Sequence, residues 1–252
     1  MIKQILATTV FTLAASLLFA QNKTYVGLEV GVSNDIYQIF ENNVEKENGG
    51  SGSQLKKVPL LSGIRGLNIR QEIGSRFFVE TGVIEKRYQT GIGFKAECGY
   101  TTTDAFTSLI IPIRFGTSIN FFKDKVRLTP VIGYSFSRNY LPPFHGGLSG
   151  EEYGSQPPAA GNSYKYQYST QFHAKNHSLL QTGLGLDVLL GKSWMASFSA
   201  NYYTGFNKVI SQDIRYSVNN NPVQAAQAYS TGNMFTVGVG LKYSLGFLQK
   251  RK

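Results

Sequence analysis

Few residues in this 252-residue chain have the types and spacing to do chemistry. There are three histidines, His145, His173 and His177, and Ser178 follows the last of them. A hydroxyl nucleophile needs an imidazole within hydrogen-bond reach, whereas adjacent residues on a strand point to opposite faces, so this pair does not meet on a strand. His173 and His177 could share a metal ion only on a helix, and the Tyr-rich sequence around them disfavours one. Cys98, beside Gly99, is the only cysteine, which excludes an internal disulfide and leaves one thiol. The expectation is a protein that is not an enzyme and carries no cofactor or metal.

A second set of residues is charged and periodic. Glu29, Arg70, Glu72, Glu80, Arg114, Arg127, Asp187 and Lys242 each fall on the small-residue side of a stretch whose alternate positions are bulky and apolar. The set holds both signs in equal number. Joined by Asn68, Gln181 and Asn201, it can form a paired network in an enclosed space, where an unpaired charge would be costly.

The elements that must position these charges follow from the same alternation. In MFTVGVGLKYSLGF, residues 234–247, Phe235, Val237, Val239, Leu241, Tyr243, Leu245 and Phe247 face away from Thr236, Gly238, Gly240, Lys242, Ser244 and Gly246. A strand covering one soluble core rarely needs such length. Similar patterns occupy residues 24–33, 61–73, 77–88, 108–119, 126–137, 179–190 and 194–205. Gln71 interrupts the second apolar face, and Pro112 and Pro130 each remove a ladder donor, which predicts local bulges. Gly133, Gly185 and Gly240 are expected to make room for long Arg and Lys stems.

Connections alternate strictly between short and long. GSR, NFFKDK and GKS are hairpin-sized, while residues 34–60, 89–107, 138–178 and 206–232 form long segments expected to be mobile loops. Residues 42–57 have the composition of a disordered segment. The pattern predicts an all-β fold, an eight-stranded antiparallel up-and-down transmembrane β-barrel. The bulky face meets lipid, the small face fills the bore, and both termini lie on the short-turn side. Phe77, Phe121, Phe122, Trp194, Tyr243 and Phe247 fall near the short turns, as an interfacial girdle would.

Residues 1–20 read as a secretory signal peptide, with Lys3, an apolar run and Ala20 before QNK, leaving residues 21–252 as the barrel domain. The opening QNKTYVGLEVGVS, with SLIIPIRFGTSINFF, RLTPVIGYSF and FTVGVGLKYSLGF, resembles the small outer-membrane β-barrel family of Bacteroidetes-type bacteria, whose barrel domains are PorT-like or OmpX-like. The resemblance covers the mature chain. It implies a cell outer-membrane location with both termini periplasmic, and it implies no catalytic residue. LQKRK after Phe247 departs from the family habit of ending on the last aromatic.

The formal net charge of +10 would ordinarily invite polyanions. Here the surplus falls on the short-turn side, at Lys23, Arg76, Lys123, Lys125, Lys192, Lys250, Arg251 and Lys252 against Asp124. Only SYKYQYSTQF interleaves cations and aromatics, and its Tyr164, Tyr166 and Tyr168 alternation marks a strand, so no nucleic-acid partner is expected. The expected partners are outer-membrane lipid and an extracellular ligand held by the long loops, with a monomeric barrel. Surface interaction or envelope integrity is the expected role. The alternatives are a lipid-modifying enzyme and a small-solute pore.

Overall fold

A computed structural model describes residues 23–42, 55–57, 61–94, 100–122, 125–140, 148–150, 164–218 and 222–245, and their regular elements are all strands. Strand β1 (Thr24–Asp35) is followed by β2 (Gln38–Asn42) and β3 (Leu55–Lys57) in the first long connection. Next come β4 (Leu61–Ile73), β5 (Phe77–Phe94), β6 (Tyr100–Thr117) with its short continuation β7 (Ile119–Phe121), and β8 (Val126–Tyr140). The third long connection holds β9 (Leu148–Gly150) and β10 (Tyr164–Phe172). After β11 (Asn176–Leu190) and β12 (Trp194–Gly205), the fourth holds β13 (Ile210–Val218) and β14 (Gln224–Ser230), and β15 (Met234–Ser244) completes the set.

Eight of these strands close on themselves in the order β1, β4, β5, β6, β8, β11, β12, β15, with β15 pairing back to β1 and every pair antiparallel. Closure leaves no edge in the ring, which is what a strand needs where no water can satisfy its backbone. One row of partners leads from Leu186 through Phe198, Val239, Val30, Arg65, Glu85, Leu109 and Arg138 to Asn176. It therefore returns to β11 ten residues from its start, and this stagger tilts the strands and fixes the bore of an eight-stranded barrel.

The tight turns at the short end use left-handed backbone at Gly74 (φ 64°) and Gly191 (φ 84°). The first and last barrel strands also meet at this end, where Tyr25 pairs with Ser244. The alternation places side chains as the sequence suggests. Leu28, Leu186 and Leu241 are 62%, 39% and 46% exposed, while their inward neighbours Glu29, Asp187 and Lys242 are buried. The exposed apolar residues run round every barrel strand in a belt far larger than a soluble monomer leaves bare. Trp194 and Tyr243 pack edge to face near the short turns, with ring centroids 4.9 Å apart.

Several details differ from the sequence-based expectation. Pro112 and Pro130 sit in ladders whose register does not shift, opposite Ser135 and Leu184. The register irregularity instead falls in β5, between Tyr88 and Thr90. Gln71, which interrupts the apolar face of β4, is itself buried, and the Thr24 hydroxyl on the neighbouring strand donates to its Oε1 at 2.5 Å. Strands β1, β5, β6, β8 and β11 extend further at the long-loop end than the apolar pattern reaches, since pairing continues above the belt. Residues 1–20, Cys98, His145 and Phe247 to Lys252 lie outside the described residues.

The larger difference is in the long connections. Strands β2, β14, β13, β10 and β9 form a second, five-stranded antiparallel sheet, and β3 pairs with the extension of β5. One face of this sheet buries Tyr37, Ile214, Tyr216, Ala226 and Ala228 against Leu55. Tyr164 to Phe172 is a strand, as its alternation suggests, but it belongs to this sheet. Of residues 42–57, Asn42 ends β2 and Leu55–Lys57 forms β3, and the rest lies outside the described residues.

Candidate functional site

The eight alternating charges all point into the bore, and most of them converge in its middle. Glu80 is the hub. Its carboxylate accepts from Arg70 Nε at 2.8 Å, Arg114 Nη1 at 2.7 Å and Lys242 Nζ at 2.5 Å. Arg70 reaches onward to Asp187 on the opposite wall and lies over the Phe78 ring at 4.0 Å. Arg114 donates to Gln181 Oε1 at 3.1 Å, the Tyr203 hydroxyl at 3.2 Å and Glu29 at 3.4 Å. Glu29 also accepts from Ser199 at 3.3 Å, and Gln181 donates to Asn201 at 2.9 Å. Arg127 and Glu72 stand apart toward the short-turn end as a 2.5 Å pair.

The ladder explains the convergence. Arg70, Glu80 and Arg114 are register partners on β4, β5 and β6, so one row presents plus, minus and plus side by side. The next partner of Arg114 is Gly133, where an added Cβ would stand 3.3 Å from the Arg114 Cγ. Gly27 does the same for Lys242, whose Cγ lies 2.5 Å from where a Cβ would be. Gly185 and Gly240 do not admit Arg and Lys stems as expected, since the side chains beside them are Thr129 and Ser197.

Sequence reasoning missed a ninth and tenth charge. Lys86 and Asp35 form a 2.6 Å ion pair above the central network, with Lys86 fully buried and its ammonium 3.9 Å from the Tyr88 ring centre. Their strands carry the inward period past the point where the outward face stops being apolar, so the period was the usable signal. Phe78 was missed because Phe77 and Val79 beside it define the outer face.

At the long-loop end the bore closes with apolar side chains. Ile64, Ile84, Tyr88, Phe106, Ile110, Leu179, Tyr203 and Met234 from the wall pack with Val209, Ile210 and Phe172 from the base of the second sheet. A backbone bond from Ile36 N to Asn233 O at 2.8 Å joins the connections that leave β1 and enter β15, and the Gly205 N–H at the end of β12 donates to the Asn233 side chain at 2.7 Å. Below this plug, a cavity of about 30 Å³ is lined by Asn68, Asp187, Ser197, Ser199 and their neighbours, on the scale of a water molecule or two.

The second sheet turns a polar face outward. Gln38 and Phe40 of β2, Gln227 and Tyr229 of β14, and Asp213 and Arg215 of β13 share it. Phe40 and Tyr229 stack with centroids 5.4 Å apart, and the Lys208 ammonium covers the Tyr229 ring at 4.5 Å.

Among the described residues, His173 and His177 do not assemble a site. His177 is buried in the bore, 3.4 Å from Asn139, while Ser178 faces outward and bonds the Tyr134 hydroxyl. His173 bonds the Ser211 hydroxyl at 2.7 Å. Among the described residues no group of three or more His, Cys, Asp or Glu could hold a metal ion.

No family model matches the chain, and no curated protein matches it. Solved structures do resemble it. The outer membrane protein OprG from Pseudomonas aeruginosa is 10% identical, with 88% of this chain and 95% of that one covered and a TM-score of 0.49. A major outer membrane protein from Thermus thermophilus is 10% identical over 87% and 99% of the two chains, with a TM-score of 0.43. The outer membrane protease OmpT from Escherichia coli is 11% identical over 89% and 97%, with a TM-score of 0.36. The eight-stranded closure and the apolar belt stand on this chain's own ladders and surface.

Proposed function

We propose that this chain is an outer-membrane β-barrel protein with a sealed bore, whose long-loop end faces outward and serves surface interaction or envelope integrity. The observation that carries this reading is the combination of a continuous apolar belt with a bore blocked at two levels, by ion pairs in the middle and apolar side chains at the mouth. A protein built to pass solutes would keep that bore wet, and porin-like channels need about sixteen strands. The work then falls to the sheet above the belt, the largest folded part outside the ring. Residues 1–20 act as the export signal in this reading, and the Arg76, Lys125 and Lys192 side chains, all exposed at the short turns, face the inner leaflet. There each contributes up to about 1 kcal/mol where the lipid is anionic. No specific observation favours the lipid-modifying enzyme or the small-solute pore.

Labelling of intact cells with a membrane-impermeant thiol reagent tests the orientation. In a Cys98→Ser background, Arg215→Cys on the second sheet labels, and Ser75→Cys in the first short turn labels only after lysis. The reverse pattern would invert the proposed topology.

A further inference from the structure

Above the apolar belt, the outward face of the barrel is unevenly charged. On β4 and β8, Arg65 and Arg138 occupy the next outward positions beyond the exposed Leu67 and Phe136, and on β5 Glu85 and then Arg87 follow the exposed Val83. All four are outward and solvent-accessible. On the other half of the ring, the outward positions beyond the belt are Asn176 and Ser178 of β11, Thr204 of β12 and Asn34 of β1, none of them charged. The cations thus lie on β4, β5 and β8, within a run of four adjacent strands.

Register sets their spacing. Arg65, Glu85, Leu109 and Arg138 form one row, and Arg87, Thr107 and Tyr140 form the next. Arg65 and Glu85 neutralise each other through two bonds, Nε to Oε2 at 3.0 Å and Nη2 to Oε1 at 2.9 Å. Arg138 lies over the Tyr140 ring at 5.8 Å, which leaves its N–H edge open, and Arg87 makes no ion pair among the described residues. The two unneutralised guanidinium groups flank β6 from either side. Two strand spacings across and two residues along the strand put their backbones roughly 12 Å apart, a gap that two long side chains can close on one anion.

We propose that Arg87 and Arg138, buttressed by the Arg65–Glu85 pair, bind the phosphate of a phosphorylated glycolipid in the outer leaflet. This rests on the membrane placement proposed above. The patch begins one or two outward positions beyond Leu67, Val83 and Phe136, with Leu61 exposed farther out at the end of β4, so its occupant is held where a lipid headgroup meets the hydrocarbon. Charge selects the class of headgroup. A phosphate without a covalently attached amine leaves its charge for the arginines, whereas a zwitterionic phospholipid carries its own counter-charge. Guanidinium groups suit phosphate because each can give two parallel N–H bonds. The Thr107 and Tyr140 hydroxyls, in the same row as Arg87, add donors at the level of the sugar.

The test uses the full mature chain refolded into nanodiscs of a zwitterionic phospholipid, with binding of a bis-phosphorylated glycolipid followed by native mass spectrometry. The same glycolipid with its phosphates removed is the control. The phosphorylated form is expected to bind at least tenfold more tightly, and Arg87→Gln with Arg138→Gln removes that preference. Arg87→Lys with Arg138→Lys keeps most of it, and the gel mobility of the unboiled protein verifies that every variant is folded. Equal retention of the two glycolipids, or an unchanged preference in the double Gln variant, would overturn the proposal while leaving the membrane reading intact. Displacement of the glycolipid by millimolar inorganic phosphate would show a free-anion site and overturn the assignment to lipid. A chain that refuses to enter the nanodiscs at all would sink the membrane reading and this proposal with it.

Discussion

Arg70 on β4 and Asp187 on β11 stand four strands apart on opposite walls of the eight-stranded ring, 117 residues apart in sequence, and a guanidinium–carboxylate hydrogen bond joins them. Lys242 to Glu80 and Arg114 to Glu29 cross the bore over three strands. The charged side chains therefore brace the wall against itself. A barrel this narrow gains its interior order from such cross-bore pairs, because backbone ladders alone tie only neighbours.

The brace makes a first prediction. Removing Arg114 leaves the buried Glu29 and Glu80 carboxylates short of a partner, and breaking a buried pair from one side typically costs about 3–5 kcal/mol. Arg114→Ala is expected to lose stability on that scale in urea unfolding of the refolded barrel. Lys175→Ala, exposed at the far end, is expected to stay within about 0.5 kcal/mol of wild type. Equal losses for the two variants would mean that the network contributes no more than a surface residue.

Lipid contact gives the second. Leu184→Arg and Val239→Arg put a charge on the exposed apolar belt and are each expected to destabilise the reconstituted barrel by about 2–4 kcal/mol. In detergent-free urea titrations both midpoints should fall. Little change in either would show that the belt does not face hydrocarbon.

A third concerns the second sheet. Ile214→Asp puts a carboxylate into the buried apolar cluster with Ala226 and Ala228, where burying a charge is costly. Hydrogen exchange of the β13 and β14 amides should rise by orders of magnitude while the barrel amides stay protected. Simultaneous loss of protection in both would make the sheet and barrel one cooperative unit.

The bore gives a fourth. Planar-bilayer recordings of purified wild type are expected to show no steady single-channel steps, because both the ion-pair layer and the apolar plug block the path. Reproducible steps would promote the pore reading.

The barrel strands could be read from the sequence because lipid and bore impose opposite chemistry on successive residues, as at Leu28 beside Glu29 or Leu186 beside Asp187. The second sheet could not. Its β14, QAAQAYS, buries Ala226 and Ala228, too small to mark a face, and β2 is only five residues long. β10 could be read as a strand from its tyrosines, yet nothing local says which sheet it joins. The interior charges were legible as a set through their period, while their partners were not, since register and shear decide which residues meet across the bore. Lys86 and Asp35 lie where the outward neighbours are no longer apolar, so only the inward period carried further along their strands would have marked them. Bulges do not form at Pro112 and Pro130 because a ladder can lose one donor without shifting register.

The account turns on where the mature chain resides. Separating inner membrane, outer membrane and soluble periplasm from cells making the full-length protein, with the unboiled sample run beside the boiled one, measures this directly. The chain is expected in the outer-membrane fraction, starting at Gln21, resistant to salt extraction and migrating faster when unboiled. Recovery in the soluble periplasmic fraction, with the same mobility boiled or unboiled, would contradict a lipid-facing barrel.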